Sequence, residues 1–186
     1  MISLKEKYNK EAIPAMKKKF GYKNIMAIPK IEKVVINSGI GKLISGKTGD
    51  DLKKSTAAIL NDLSQITGQK AVLTKAKHSI SSFKLREGMP VGAKVVLRGK
   101  KRDDFLERLV HVAFPRIRDF RGIDLKSFDE KGNLTIAFKE HIVFPEISPE
   151  NTRIIFGFEI TIVNTAKNKE EGIELLRSLG FPLKKD

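Results

Sequence analysis

The 186-residue chain contains no cysteine. This absence excludes disulfides, thiol nucleophiles and cysteine-ligated zinc, and it is typical of a protein in a reducing compartment. Aromatic residues make up only 7% of the chain, so base stacking on single strands is a secondary expectation. No uncharged apolar run approaches the roughly 18 residues that span a bilayer, and the charged first ten residues are unlike a signal peptide. We therefore expect a cytoplasmic protein without a membrane partner.

Groups of residues typical of enzymes are also scarce. The three histidines, His78, His111 and His141, show no short metal-ligand spacing. His111 lies in the apolar stretch "LVHVAF", which predicts a packed histidine. The acidic pairs at 103–104 and 170–171 are expected to begin helices, where caps and the helix dipole explain them. No G-x-S-x-G nucleophile elbow occurs. The sequence predicts no enzyme, no metal site and no cofactor.

Acidic residues are few in the first half of the chain. The net charge is +14 overall, but residues 1–102 carry +16 and residues 103–186 carry −2. Such clustering opposes compact folding through self-repulsion, so we expect a polyanion partner for the first half. The alternative is that the basic residues only keep the protein soluble, but solubility does not require confining them to one half.

The stretch "GKLISGKT", residues 41–48, matches the phosphate-binding loop G-x-x-x-x-G-K-[ST]. A working loop also needs a magnesium-binding acid, usually at the end of an apolar strand. The apolar strands here end in Asn, Thr and Arg. Asp50 and Asp51 follow where the phosphates would lie, and they fit better as N-terminal charges of an ordinary helix. A flexible basic turn is the favoured interpretation, with a nucleotide-binding protein dependent on Lys47 as the alternative.

Hydrophobic periodicity predicts a mixture of helices and strands. Helices are expected at 3–21 with an interruption at Pro14, near 51–67, from Asp103 or Asp104 to about 114, and near 169–179. Strands are expected at 30–40, 70–74, 92–99, 133–140 and 152–165, with hairpin-length links between the late strands. This order favours an α+β fold as a single domain over residues 1–186, with a mostly antiparallel sheet, helices packed on one face and a long basic loop.

The strand "KIEKVVINSGI" alternates in a way that separates two faces. Lys33 and Asn37 share one face with Ile31 and Val35, whereas Glu32 shares the other face with the apolar residues Val34 and Ile36. The pattern therefore places a lysine and an asparagine together on one face of the predicted strand.

The long connection 75–91 carries cations interleaved with serines. Its basic residues and histidine are Lys75, Lys77, His78, Lys84 and Arg86, and its serines are Ser79, Ser81 and Ser82. Lysines suit phosphate contacts and hydroxyls suit sugar and phosphate oxygens, although a solvated loop is the plain alternative. Further basic clusters occur at 98–102 and 116–121. Together they indicate binding to the backbone and minor groove of folded RNA.

Several segments carry a family resemblance. They are "IPKIEKVVIN", "ITGQKAVLTKAKHSISSFKLREGMPVGAKVVLRG", "FPRIRDFRG", "FPEI" and "NTAKNKEEG…LLRSLGFP". In order and spacing they resemble large-subunit ribosomal protein five, the bacterial 5S rRNA-binding family, over essentially the whole chain. The resemblance implies an α+β domain whose sheet presents a concave face to 5S rRNA in the central protuberance. It further implies contacts to 23S rRNA, to P-site tRNA through a basic loop, to small-subunit protein thirteen in an intersubunit bridge, and to other central-protuberance proteins.

The resemblance also implies site residues, each taken by position. The 5S rRNA contacts would be Lys33, Asn37, Gln69, Val96 and Arg98. The tRNA-facing loop would contribute Thr74, Lys75, Lys77, His78, Ser79 and Ser82. Val96 replaces a threonine common in the family, so one hydroxyl contact to RNA, on the order of 1 kcal/mol, is expected to be missing. The turn at 43–51 looks longer than in the family, which places the nucleotide-loop match in a variable turn.

A free-standing regulator that binds many structured RNAs remains the alternative to a ribosomal protein. It would show no preference for 5S rRNA. The sheet-face assignment predicts that Asn37→Ala weakens 5S rRNA binding more than Lys185→Ala does.

Overall fold

The structure is a computed structural model that describes residues 3–44, 46–83, 85–152 and 154–184, apart from the side chains of Phe83 and Asn151. Lys84 of the basic connection and Lys185, the comparison residue above, lie outside this description. Within it, no helix is both long and apolar enough to traverse a lipid bilayer.

The fold is α+β, with helices and a mainly antiparallel sheet as predicted. The strands of the described sheet follow the order β2-β3-β1-β5-β4. Their bounds are β1 Ile31–Gly39, β2 Val72–Lys75, β3 Pro90–Leu97, β4 Leu134–Phe138 and β5 Phe158–Asn164. β2 and β3 pair in antiparallel fashion, and their register slips between Thr74 and Lys75, at the base of the basic connection.

Helices separate most of these strands. The α-helices are α1 Leu4–Lys7, α2 Ile13–Phe20, α3 Gly41–Ile44, α4 Gly49–Thr67, α5 Gly99–Arg108, α6 Phe114–Arg116 and α7 Lys169–Ser178. Short 3₁₀ turns cover Ile25–Ala27, Ser81–Phe83, Leu125–Ser127, His141–Val143 and Pro149–Asn151.

The interruption expected at Pro14 takes the form of a π-helical segment. Residues Tyr8–Ala12 are π-helical between α1 and α2, and Pro14 lies in the first turn of α2. Proline has no N–H and its ring crowds the carbonyl one turn earlier, so a widened turn before it relieves the clash. Ser3 caps α1, because its side chain accepts from the Glu6 N–H.

The predicted start of the third helix was wrong. α5 begins at Gly99, directly after β3, and the carboxylate of Asp103 instead pairs with Arg102 at 2.6 Å. The packed position expected for His111 was also wrong, since this residue is exposed. His111 lies in a second π-helical segment, Leu109–Ala113, between α5 and α6, and the buried residues of this segment are Leu109 and Ala113. His111 is two residues from each of them and therefore points away from the core.

The connection between the last two strands is longer than expected. The last two strands are not joined by a hairpin-length link, because residues 139–157 connect them through two 3₁₀ turns. α7 starts after Asn168 as predicted, but Asn168 makes no side-chain cap. Glu171 reaches back instead to the Lys167 N–H at 2.9 Å.

The chain forms two compact units. The terminal unit comprises Met1–Val34, Leu97–Ile136 and Thr161–Asp186, and the central unit comprises Val35–Val96 and Ala137–Ile160. The core of the central unit contains Ile36, Ile59, Leu63 and Val95 with the rings of Phe138, Phe144 and Phe158. The core of the terminal unit contains Met16, Phe105, Leu106, Phe114, Ile162, Leu175 and Leu176. The expectation of one domain stays a prediction.

Candidate RNA-binding residues

The alternation of β1 places Asn37 on its solvent side. Val34, Ile36 and Ser38 are buried, whereas Asn37 is exposed and Lys33 is half-buried. The predicted faces therefore hold from residue 33 onward. They do not hold at the start of the strand.

In the central unit, Asn37 lies beside a buried glycine, Gly92, where neighbouring strands approach closely. Thr74 of β2 is the partner of Gly92 in β3. A Cβ atom at Gly92 would lie 2.6 Å from Thr74 Oγ1, 3.1 Å from Ser38 O and 3.9 Å from Asn37 Oδ1. An amide and a hydroxyl thus lie close to the same buried glycine. Both groups can donate and accept hydrogen bonds, as base edges and 2′-hydroxyls require.

The same unit brings Gln69 and Val96 together. Gly68 ends α4 in the left-handed conformation, and its N–H donates to Ser64 O at 2.9 Å. Glycine adopts this conformation without strain. The chain then turns so that Gln69 Nε2 donates to Val96 O at 3.0 Å. Two residues of the predicted 5S rRNA site therefore contact each other, and Val96 takes part through its backbone carbonyl.

In the terminal unit, the predicted cations Lys33 and Arg98 both face Glu32. Arg98 Nη1 lies 3.0 Å from Glu32 Oε1, and Lys33 Nζ lies 3.9 Å from the same oxygen. The hydrogen bond from Arg98 lowers the pKa of Glu32, and the charge of Lys33 lowers it further. Glu32 was predicted on the inward face of β1, but it is exposed while Ile31 is buried.

The basic connection folds as an extension of the β2–β3 hairpin. Ala76 N donates to Met89 O at 2.8 Å, and Ile80 and Leu85 exchange backbone hydrogen bonds of 2.9 and 3.1 Å. Ser79 Oγ accepts from Glu87 N at 2.9 Å, so this serine supports the hairpin itself.

The side chains predicted to contact tRNA lie along this extension. Thr74 is half-buried in β2, and the others are exposed, namely Lys75, Lys77, His78, Ser79 and Ser82. The hairpin therefore presents Lys75 and Lys77 to solvent.

The turn that matches a nucleotide loop has another geometry. α4 begins at Gly49, two residues after Lys47, whereas a nucleotide loop needs the helix to begin at its Lys-Thr pair. Lys47 Nζ donates to Ser55 Oγ at 2.8 Å. Asp51 lies with Lys47 and Ser55 along a cavity of about 290 Å³. A carboxylate there would repel a phosphate.

A buried histidine occupies the central unit, and it is His141. Its ring stacks on Phe156 with centroids 4.0 Å apart, and Nδ1 accepts from Phe156 N. Nε2 lies 3.4 Å from Asp62 Oδ2. Burial lowers the pKa of His141, against the attraction of Asp62, and burial raises the pKa of Asp62. Throughout the described ranges, no three His, Asp or Glu residues are grouped as metal ligands.

Comparison with known proteins gives this arrangement a context. Residues 24–86 match the sequence model described as ribosomal protein L5, and residues 90–183 match the model for the C-terminus of the same ribosomal protein family. The chain is 50% identical to the large ribosomal subunit protein uL5 of Halothermothrix orenii over 182 residues, which covers 98% of both chains. The chain belongs to the ribosomal protein L5 family. This protein is therefore a structural, non-enzymatic constituent of the large subunit of the cytoplasmic ribosome, and it functions in translation.

Gly92 and Glu32, which the structure places beside predicted site residues, were not identified from the sequence. Gly92 had a signal, because a glycine inside a strand often marks a close backbone approach. Glu32 had none, since strict alternation put it in the core.

Proposed function

We propose that this protein binds 5S rRNA and attaches it to the 23S rRNA and the other proteins of the central protuberance. The observation that carries the proposal is the exposed Asn37 amide and the half-buried Thr74 hydroxyl, which lie close together around the buried Gly92. Hydrogen-bonding groups on the face of a sheet suit the wide minor groove of folded RNA, which displays base edges and 2′-hydroxyls.

Charge supports the same assignment. Residues 1–102 carry a net charge of +16, and Lys33 and Arg98 are close to solvent in the terminal unit. Phosphate contacts from such cations supply much of the affinity for a nucleic acid, whereas the polar groups near Gly92 would supply the selectivity.

The hairpin extension of residues 75–91 is proposed to contact P-site tRNA. Its exposed Lys75 and Lys77 would neutralise phosphates. Replacing both with alanine should weaken P-site tRNA binding to reconstituted ribosomes while leaving 5S rRNA in place. Lys53→Ala/Lys54→Ala on α4 removes two exposed lysines as a matched control. Equal tRNA binding by the two double variants would contradict the hairpin assignment.

A contact with small-subunit protein thirteen is proposed for the later part of the chain. Residues 103–186 are close to neutral, with a net charge of −2. A near-neutral surface avoids repelling a basic partner, and it suits a contact that breaks and re-forms as the subunits move.

The 5S rRNA assignment is tested with a pair of asparagine variants. Asn37→Ala removes the amide beside Gly92, and Asn61→Ala removes an exposed amide from α4. One lost hydrogen bond of about 1 kcal/mol predicts roughly fivefold weaker 5S rRNA binding for Asn37→Ala. Asn61→Ala should bind as the unmodified protein does. Equal affinities of the two variants would contradict the proposed site.

A further inference from the structure

Glu32 is an acidic side chain at the centre of a group of cations in the terminal unit. Its Oε1 lies 3.0 Å from Arg98 Nη1 and 3.9 Å from Lys33 Nζ. Arg102 Nη1 approaches the backbone beside it, donating to Ile31 O at 2.5 Å and to Glu32 O at 3.3 Å. One carboxylate oxygen therefore faces both cations that the proposed function assigns to RNA phosphates.

These ion pairs are exposed. The side chains of Arg98 and Glu32 are 58% and 45% exposed, and solvent-exposed pairs of this kind contribute little to stability. Stability is therefore a weak reason for a carboxylate at this position. The low strength of the pairs means that another anion can replace the carboxylate easily.

An RNA phosphate has the chemistry for that replacement. It offers two charged oxygens, and a guanidinium can bind both of them at once. A phosphate that reached Arg98 would accept a hydrogen bond from the Nη1 group that now faces Glu32 Oε1. Lys33 Nζ lies near the same carboxylate oxygen, so it would face the phosphate as well. Glu32 would then be a like charge next to the bound RNA.

We propose that Glu32 is a displaceable substitute for an RNA phosphate, which holds Lys33 and Arg98 in position until RNA takes its place. The inference rests on the proposed function only in requiring that these two cations contact RNA. Glu32 is a positioning residue. It lowers affinity for RNA, and most strongly for an RNA that places a phosphate at this position, because that phosphate has to displace the carboxylate.

The test compares two variants that each remove one carboxylate charge. Glu32→Gln keeps the shape of the side chain. Glu130→Gln changes an exposed residue of the turn before β4 in the same unit. Binding to 5S rRNA and to a size-matched structured RNA is measured over a salt series. Glu32→Gln should bind about three- to fivefold more tightly than the unmodified protein, with a salt slope steeper by up to about one. Glu130→Gln should change affinity by less than about twofold.

A second comparison separates positioning from a structural role. In a Lys33→Ala/Arg98→Ala background, the gain from Glu32→Gln should fall to that of Glu130→Gln, because its partners are gone. A gain that persists there would overturn the proposal. So would a Glu32→Gln variant that binds no more tightly than Glu130→Gln.

The two proposals fail separately in this experiment. Equal binding of both RNAs by the unmodified protein would overturn the 5S rRNA assignment, while the Glu32→Gln gain would still support phosphate exchange. A clear preference for 5S rRNA without that gain would overturn the role of Glu32 alone. Binding to neither RNA would overturn both.

Discussion

Gly92→Ala tests whether the close approach of Thr74 and Ser38 to this buried glycine requires the absence of a side chain. The added Cβ would lie 2.6 Å from Thr74 Oγ1 and 3.1 Å from Ser38 O. Rotating Thr74 relieves only the first contact, since the second involves backbone. Overpacking of this kind costs about 1–3 kcal/mol, and replacing a glycine returns roughly 0.4–1 kcal/mol by restricting the unfolded chain. The net loss in the free energy of unfolding should be about 1–2 kcal/mol.

The assay is thermal unfolding together with 5S rRNA binding. For a chain of this size, about 1 kcal/mol shifts Tm by roughly 2–4 °C, so Gly92→Ala should unfold about 2–8 °C lower. Gly39→Ala is the control, because no atom lies within 4 Å of its added Cβ. Adding Thr74→Ala to Gly92→Ala should recover part of the lost stability, since the nearest clash disappears. Equal Tm values for Gly92→Ala and Gly39→Ala would refute the reasoning.

Three further outcomes are expected. Burial lowers the pKa of His141 below its usual 6.5, so in acid the unfolded chain binds a proton at this residue more readily than the folded chain does. The free energy of unfolding measured in urea should therefore fall as the pH drops from 7.5 to 5.5, and His141→Gln should remove most of that fall. Gly172→Ala places a Cβ 2.5 Å from Gly132 Cα, a backbone clash that should lower the free energy of unfolding by about 3 kcal/mol in urea titrations. Calorimetric titration with ATP or GTP should show no binding heat for either the unmodified protein or Lys47→Ala. Nucleotide binding by the unmodified protein that Lys47→Ala abolishes would contradict the structural role of the turn.

Sequence periodicity predicted the parts of the fold that burial alone decides. From residue 33 onward, β1 alternates as expected because one face is buried throughout. The end of α4 at Gly68 was also predictable, since the left-handed conformation there favours glycine. Asn37 was placed on the open side for the same reason as its strand neighbours.

Features that depend on contacts distant in sequence were not predictable. α5 starts at Gly99 because β3 leads directly into the helix. Asp103 therefore lies inside the helix, and the capping pattern that begins there does not mark a helix start. The exposure of His111 follows from which side of its π-helical segment packs inward. The pairing of Glu32 with Arg98 joins β1 to the residue after β3, and no pattern within either segment indicates it.

The most direct test of the central claim is binding of the unmodified protein to 5S rRNA and to a size-matched structured RNA over a salt series. Phosphate contacts predict that both affinities fall steeply as salt rises. The account predicts that a preference for 5S rRNA remains at the higher salt concentrations, since the hydrogen bonds near Gly92 are less sensitive to ionic strength. Equal affinity for the two RNAs at every salt concentration would contradict it.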